Sequence, residues 1–197
     1  MSTVEAESVF KEPLFLASSS PRRAEILRAV GWPFKILAPH IDEGRIGEEA
    51  PAQYVRRLAR MKAAAVAAQQ NEGLVLGADT VVVVDGEILG QPRDAQDARR
   101  MLQLLRGKWH EVLTGVALVK AGKNGCSIVD HECSRVRFSQ IDDREIEWYI
   151  ATGEPMGKAG AYAVQGRGAL FIEEIQGDYF NIVGLPVRLA YELSRRI

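Results

Sequence analysis

One acidic residue stands in the middle of an apolar segment that predicts a buried strand. Residues 74–84 read LVLGADTVVVV, and Asp79 is the acid. A continuous run of Val and Leu bounded by turn residues is typical of a core strand. An ionised carboxylate at such a position is costly unless a cation, a metal ion or several hydrogen bonds replace the lost water. The sequence therefore indicates that Asp79 has charged partners, takes part in chemistry, or both.

A turn near the start of the chain has the composition of an anion site. A short apolar strand at residues 14–17 is followed by SSSPRR at residues 18–23 and then by a helical pattern. Ser20 suits the N-cap of that helix and Pro21 its first position. Serine hydroxyls, free backbone N–H groups and the guanidiniums of Arg22 and Arg23 then converge where the helix dipole is positive. This pattern favours phosphate binding over a helix that is merely well capped.

A further cation lies on the apolar face of the helix predicted to begin at Pro51. The apolar stripe of this helix consists of Tyr54, Val55, Leu58, Met61 and Ala65. At about 100° per residue, Lys62 falls on the same stripe. An isolated lysine there usually runs along the edge of the core with its charge in water. Because a buried acid and an anion-binding turn are also predicted, we interpret Lys62 as pointing into a polar cleft.

Alternating strands and helices indicate how these residues are positioned. Asp85-Gly86 predicts a tight hairpin after the Asp79 strand. Asp94 is the predicted cap of a helix that ends at Gly107, and strands at 111–119 and 128–138 form a second hairpin. Helices at about 142–151 and 187–196 flank a glycine-punctuated stretch, residues 153–168, that should wrap a ligand or form a tight loop. Hairpins among the alternating elements favour a mixed α/β sheet with flanking helices.

Six ordered segments resemble the motifs of the Maf family of nucleoside triphosphate pyrophosphatases. They are ASSSPRR at 17–23, GADTVV at 77–82, HEVLTG at 110–115, GEP at 153–155, KAGAYAVQG at 158–166 and VGLP at 183–186. Each motif alone is weak, but six in order over residues 14–193 are specific. The resemblance implies a fold related to inosine triphosphate pyrophosphatases, with two lobes around a cleft, and a homodimer. It also implies hydrolysis of a nucleoside triphosphate to the monophosphate and pyrophosphate, with a divalent cation (Mg²⁺, Mn²⁺ or Co²⁺).

The resemblance also assigns roles by position. Asp79 corresponds to the family's general base, and Lys62 and Glu43 complete the catalytic set. Ser18 and Arg23, together with Lys62, would hold phosphates. Asp79 and Glu43 would hold the metal ion, with Glu43 near the attacking water.

Three positions match the branch of the family that acts on dTTP and UTP. This branch carries Arg after the Pro of the first motif, Thr after the catalytic Asp and Gln in the last glycine-flanked motif; Arg22, Thr80 and Gln165 match. The resemblance therefore implies that these residues bind substrate. An amide such as that of Gln165 supplies an acceptor and donors that match the N3–H and carbonyls of uracil or thymine.

Two positions depart from the family pattern. Gln91 stands where lysine is usual, and Gly157 stands where aspartate is usual. The first change removes a phosphate-facing cation and the second removes an acid. They motivate an alternative from another class, a nucleotide-binding regulatory protein with weak turnover.

Composition and charge exclude several other classes of protein. With 197 residues and 47% hydrophobic content, the chain can bury a substantial core as one domain, which we place at residues 13–197 after a flexible tail at residues 1–12. The net charge is −1 and paired arginines are dispersed, which is not the pattern of a nucleic-acid binder. We expect no membrane span and a cytoplasmic location. Cys126 and Cys133 lack metal spacing and are predicted to be buried small hydrophobes in a reducing compartment.

Overall fold

A mixed sheet with helices on both faces is the framework of the protein. The computed structural model describes residues 12–122 and 125–197. In these ranges the strands are β1 (Leu14–Ala17), β2 (Lys35–Ile36), β3 (Leu74–Val84), β4 (Glu87–Leu89), β5 (Trp109–Lys120), β6 (Ser127–Phe138) and β7 (Ile172–Gln176). The helices are α1 (Pro21–Ala29), α2 (Pro51–Ala67), α3 (Ala95–Leu105), α4 (Asp143–Ala151), α5 (Tyr179–Val183) and α6 (Val187–Ser194). Short 3₁₀ turns lie at Ala159–Ala161 and Arg167–Phe171.

The strand order confirms the predicted mixed α/β sheet. The main path is β2-β1-β3-β5-β6-β7, and β4 pairs with β3. β1 runs parallel to β2 and β3, and the other pairs are antiparallel. Asp85 (φ +50°) and Gly86 (φ +81°) form the predicted tight turn between β3 and β4, since both adopt the positive φ that a two-residue hairpin favours.

Helix α2 lies directly on the sheet because two glycines leave room for its backbone. A Cβ at Gly77 of β3 would stand 2.2 Å from the carbonyl oxygen of Ala59, and one at Gly115 of β5 would stand 2.2 Å from that of Val55. Any side chain at either position would push α2 away. The two glycines therefore fix the distance at which side chains of α2 meet β3.

The opposite face of the sheet carries two separate apolar clusters. One contains Leu74, Leu76 and Ala78 of β3 together with residues of α1 and α6. The other contains Val82 and Val84 of β3 together with residues of α3 and α4. Since alternate strand residues share a face, the residue of β3 that separates the clusters is the polar Thr80. This arrangement agrees with the two lobes around a cleft that the resemblance implies.

Several details differ from the sequence predictions. Cys126 and Cys133 are both exposed, so the prediction that they are buried is wrong. Cys133 lies on the outward face of β6, where the alternate residues at 135 and 137 are also exposed. Helices α3 and α6 end two residues before the predicted ends at 107 and 196.

Two further predictions are a flexible tail at residues 1–12 and the absence of a membrane-spanning helix. Residues 1–11 of the predicted tail lie outside the described residues, while Glu12 pairs with Lys120 of β5. Within the described ranges, no helix combines the length and apolar character needed to cross a bilayer.

Candidate active site

The candidate site lies at a gap along one edge of β3. This edge pairs with β1 over residues 74–77 and with β4 over residues 82–84. In the described ranges no strand covers residues 78–81 on that edge. Asp79 and Thr80 line the cavity that opens here, which measures about 620 Å³. Small-molecule sites commonly measure about 300–1,000 Å³, so the cavity has the size for a nucleotide.

A lysine bridges two carboxylates at the centre of this gap. Lys62 Nζ lies 2.6 Å from Asp79 Oδ1 and 2.9 Å from Glu43 Oε1. Lys62 and Asp79 are buried, whereas Glu43 is exposed. The Tyr54 hydroxyl donates to the backbone carbonyl of Glu43 at 2.8 Å and holds that segment in place. The prediction that Asp79 has a charged partner is thus confirmed, and Lys62 points into the cleft as expected.

The electrostatics of this cluster make Asp79 a stronger base than an ordinary carboxylate. Burial raises the pKa of Asp79, and the attraction of Lys62 and Arg23 offsets only part of this effect. The nearby charge of Glu43 raises it further. A carboxylate with a raised pKa is suited to accept a proton from water.

Ser18 lies on the floor of the cavity, and its hydroxyl donates to no other residue in the described part of the chain. Its Oγ accepts hydrogen bonds from the backbone N–H of Ser20 (3.2 Å) and from Nη1 of Arg23 (3.1 Å). Both lone pairs are therefore used, and the hydroxyl proton is left for an acceptor in the cavity. Ser20 is the N-cap of α1 and Pro21 its first residue, as predicted, but the Ser20 side chain makes no capping hydrogen bond. The Ser20 N–H instead bonds Ser18.

A directed chain of hydrogen bonds positions Arg23. Arg23 donates through Nη2 to Thr80 Oγ1 (3.1 Å), which lies 3.0 Å from Thr114 Oγ1. Thr114 donates its one proton to the backbone carbonyl of Asn181 (3.0 Å), so the proton between the two threonines must belong to Thr80. Arg23 Nε also donates to the carbonyl of Gly184 at 2.8 Å. Thr80 thus holds Arg23, in addition to lining the cavity.

The opposite wall of the cavity comes from the glycine-punctuated stretch. Arg22 donates to the carbonyl of Gly157 at 3.3 Å and so crosses the cleft from α1. Lys158 lines the cavity, and its Nζ donates to the carbonyls of Glu154 (3.0 Å) and Met156 (3.2 Å). Burial lowers the pKa of Lys158, and repulsion by Arg22 adds to this. Two cations thus stand together at this wall, which favours an anionic ligand between the walls.

Gln91 and Gln165 both line the cavity and both are exposed. Neither side chain makes a hydrogen bond to another described residue, so both amides are available to a ligand. The loop of Gln91 is tied to the opposite wall, since the N–H of Gly160 donates to the carbonyl of Gly90 at 3.0 Å.

The structure brings every predicted site residue to one cavity and adds others that the sequence analysis missed. Ser18, Arg22, Arg23, Glu43, Lys62, Asp79, Thr80 and Gln165 all line it. The missed residues include Thr114, Lys158 and Tyr54. Thr114 and Lys158 lie within the quoted motifs, and this was the only sequence signal for them.

The carboxylates of Asp79 and Glu43 fit a hard divalent cation only in part. Both contact the same ammonium group, so one cation is within reach of both. Among the described residues no group of three or more Asp, Glu, His or Cys side chains is placed to hold a metal ion. Mg²⁺ is commonly held by one or two carboxylates, with waters and substrate phosphates completing its shell. The donor set fits a cation that arrives with a phosphorylated substrate.

A sheet with an open edge, a buried acid and convergent cations defines an α/β enzyme with a cleft for a phosphorylated ligand. The chain belongs to the family described as Maf-like protein, whose model matches residues 13–197. It is 50% identical over 182 residues to the dTTP/UTP pyrophosphatase of Symbiobacterium thermophilum, covering 92% of both chains. It is 48% identical over 187 residues to that of Dictyoglomus thermophilum, covering 94% of this chain and 96% of the relative.

Two further comparisons give similar proteins. The dTTP/UTP pyrophosphatase of Pelotomaculum thermopropionicum is 50% identical over 183 residues, covering 92% of this chain and 95% of the relative. Among solved structures, a nucleoside-triphosphatase / dITP/XTP pyrophosphatase from Mycobacterium abscessus is similar over 66% of this chain and 75% of that chain, with a TM-score of 0.40 and 16% identity.

Proposed function

We propose that this protein hydrolyses nucleoside triphosphates, with dTTP and UTP preferred, to the monophosphate and pyrophosphate. The observation that carries the proposal is the buried Asp79, held 2.6 Å from Lys62 at the open edge of β3 and facing a cavity lined by Ser18 and Arg23. The relatives named dTTP/UTP pyrophosphatase, at about half identity over nearly the whole chain, support the same activity.

Phosphate binding follows from donors that already point into the cavity. Ser18 offers its hydroxyl proton, and Arg23 and Lys62 offer positive charge. On the opposite wall, Arg22 and Lys158 supply two more cations. Charge-assisted hydrogen bonds from such groups are the strong ones for phosphate oxygens.

The reaction needs a base and charge stabilisation more than covalent help from the protein. Water attacks the α-phosphorus, a new P–O bond forms, and the bond from that phosphorus to the bridging oxygen breaks. Asp79 accepts the proton of the water, and its raised pKa suits this role. Lys62, which contacts Asp79, and Arg23 stabilise the negative charge that develops on the equatorial and leaving oxygens.

A divalent cation is part of the proposal. Asp79 and Glu43 would hold it together with the substrate phosphates. When bound, Mg²⁺, Mn²⁺ or Co²⁺ would neutralise phosphate charge and lower the pKa of a bound water.

Gln165 is the residue that we assign to the base. Its exposed amide lines the cavity with no partner among the described residues. In one orientation its amide pairs with the N3–H and O4 of uracil or thymine, whereas the N3 and N4 amino group of cytosine require the amide turned by 180°. The preference for uracil or thymine therefore depends on a fixed orientation of the Gln165 amide.

The regulatory alternative is favoured by one observation. Gln91 lines the cavity at the position where the family pattern has a lysine. Lys158 supplies a cation to the same cavity. Its loop is hydrogen-bonded to the loop of Gln91, through the N–H of Gly160 and the carbonyl of Gly90, so the absence of a lysine at position 91 is weaker support for the alternative. We therefore prefer the enzyme. We further propose a homodimer located in the cytoplasm, on the basis of the resemblance, which sedimentation of the purified chain and fractionation of its host would test.

The experiment is a pyrophosphate-release screen. Purified protein is incubated with dTTP, UTP, CTP, ATP, GTP and 7-methyl-GTP in the presence of Mg²⁺, Mn²⁺ or Co²⁺. We expect pyrophosphate from dTTP and UTP first, and none when the metal is removed with a chelator. Tight dTTP binding without pyrophosphate release would favour the regulatory alternative, and 7-methyl-GTP as the best substrate would contradict the assigned base preference.

A further inference from the structure

A carboxylate outside the cavity lining organises the loop that carries Gln165. This loop, the Gln165 loop, comprises residues 163–168. Glu154 receives hydrogen bonds from it at both oxygens: Gly168 N–H donates to Oε1 and Arg167 N–H to Oε2, both at 3.0 Å. One carboxylate thus binds two consecutive amides just after Gln165.

The other end of the loop is held by Tyr149 of α4, which is fully buried. Its hydroxyl accepts from the N–H of Ala163 at 3.1 Å and donates to Oε1 of Glu154 at 2.9 Å. Ala163 and Gly168, the two ends of the loop, are therefore joined through the same Tyr149–Glu154 pair. Gln165 lies between these ends.

Two glycines show that the loop is shaped around this pair. A Cβ at Gly166 would stand 2.5 Å from both carboxylate oxygens of Glu154, and one at Gly168 would stand 2.7 Å from the Tyr149 hydroxyl. A side chain at Gly166 would displace the Glu154 carboxylate from its present position, and one at Gly168 would also stand 2.7 Å from the carbonyl oxygen of Ala163. The two glycines that follow Gln165 thus permit the loop to approach Glu154 and Tyr149 closely.

The charge of Glu154 supports the arrangement. Burial raises its pKa, but the hydrogen bonds from Gly168, Arg167 and Tyr149 together outweigh burial, so that the pKa is lowered overall. The ionised form, which can accept from all three donors at once, is therefore the one that the loop stabilises. An amide in its place has only one acceptor oxygen and would set its NH₂ against a backbone N–H.

We propose that Glu154 and Tyr149 are positioning residues for base selectivity, which act by fixing the Gln165 loop. This inference rests on the proposed function, because it assumes that Gln165 reads the base. It requires that Glu154 affect the choice between bases more than the binding of the phosphates. Ser18, Arg23 and Lys62 belong to other elements, and Lys158 donates to the backbone carbonyl of Glu154, which a substitution of the side chain retains.

The test compares selectivity with phosphate binding in Glu154→Gln. We expect the ratio of kcat/KM for dTTP over CTP to fall at least fivefold, while the Kd of inorganic pyrophosphate, measured by calorimetry, changes less than twofold. Tyr149→Phe should lower the ratio in the same direction. Asp142→Asn is the matched control, because Asp142 also accepts from two backbone N–H groups of α4 but does not line the cavity; its ratio should stay at the wild-type value.

A double substitution separates positioning from general stability. If Glu154 acts through Gln165, adding Glu154→Gln to Gln165→Ala should leave the dTTP-to-CTP ratio unchanged while still lowering Tm. A further fall in the ratio, or an unchanged ratio in folded Glu154→Gln, would overturn the inference. Failure of the proposed function looks different, since the wild-type protein itself would then show no preference for dTTP.

Discussion

Removing one buried hydroxyl, that of Thr114, should weaken phosphate binding without unfolding the protein. Thr114→Val keeps the shape of the side chain but deletes both the proton donated to the Asn181 carbonyl and the oxygen that accepts from Thr80. The Thr80 hydroxyl then has no acceptor at position 114, so its proton is no longer directed away from Arg23. Arg23 keeps its bonds to Ser18 and Gly184, so the guanidinium loses orientation but stays in the cavity.

The stability cost can be estimated from the remaining partners. The Asn181 carbonyl also accepts from the N–H of Gly184 at 3.0 Å, so it is not left unpaired. The loss is then close to the net value of the two hydrogen bonds that disappear, about 1–3 kcal/mol. For a chain of this size each kcal/mol lowers Tm by about 2–4 °C, which gives a fall of about 2–12 °C.

Phosphate binding should weaken as well, because Arg23 is held through Thr80. A hydrogen bond to a charged group is worth about 1.5–3 kcal/mol. If Arg23 is less well oriented and loses part of one such bond to a phosphate, the Kd of pyrophosphate should rise about threefold to tenfold. Calorimetric titration with pyrophosphate and a thermal melt measure the two quantities on one sample. Thr114→Ser, which keeps the hydroxyl, is the control and should bind like wild type. A folded Thr114→Val protein with unchanged Kd would refute the argument that Thr114 positions Arg23.

Three further predictions address the acid, the missing cation and the helix contact. Burial raises the folded-state pKa of Asp79, so ionisation of this carboxyl lowers the stability of the protein as pH rises through that pKa. At pH 8, Asp79→Asn should therefore melt no lower than wild type, while its kcat falls at least about a hundredfold. A lower Tm with an unchanged kcat would instead show that Asp79 has a structural role. Gln91→Lys adds a cation to the cavity and should raise kcat about threefold to tenfold relative to the exposed control Gln69→Lys, and an unchanged or lower kcat would show that no cation is lacking there. Gly77→Ala places a Cβ 2.2 Å from a carbonyl oxygen of α2 and should lower the free energy of unfolding by about 2 kcal/mol or more, measured by urea denaturation; wild-type stability would show that α2 can move.

Local patterns were enough to predict much of the site. The position of Asp79 in a Val-rich segment and the place of Lys62 on an apolar stripe each follow from the periodicity of one element. Their contact follows once α2 lies on β3, which Gly77 permits. The turn at Asp85-Gly86 was predictable for the same reason, because its conformation is set by two adjacent residues.

The parts that could not be predicted depend on residues far apart in the chain. Thr114 and Asn181 are 67 residues apart, and neither carries a local signal that the other is its partner. The Glu154 contacts to the Gln165 loop span 13 and 14 residues and depend on how that stretch folds back on α4. The prediction that Cys133 is buried was wrong because it relied on the usual burial of cysteine. The exposure of Cys133 depends instead on which face of β6 its side chain occupies.

In the proposed reaction, Asp79 activates water for attack on the α-phosphorus of dTTP. Hydrolysis in water enriched in ¹⁸O, followed by mass spectrometry of both products, tests it most directly. We expect the label to enter dTMP and not pyrophosphate, and we expect Asp79→Asn to slow this incorporation at least about a hundredfold. Label in pyrophosphate or in free phosphate, or incorporation at the wild-type rate in folded Asp79→Asn, would contradict it.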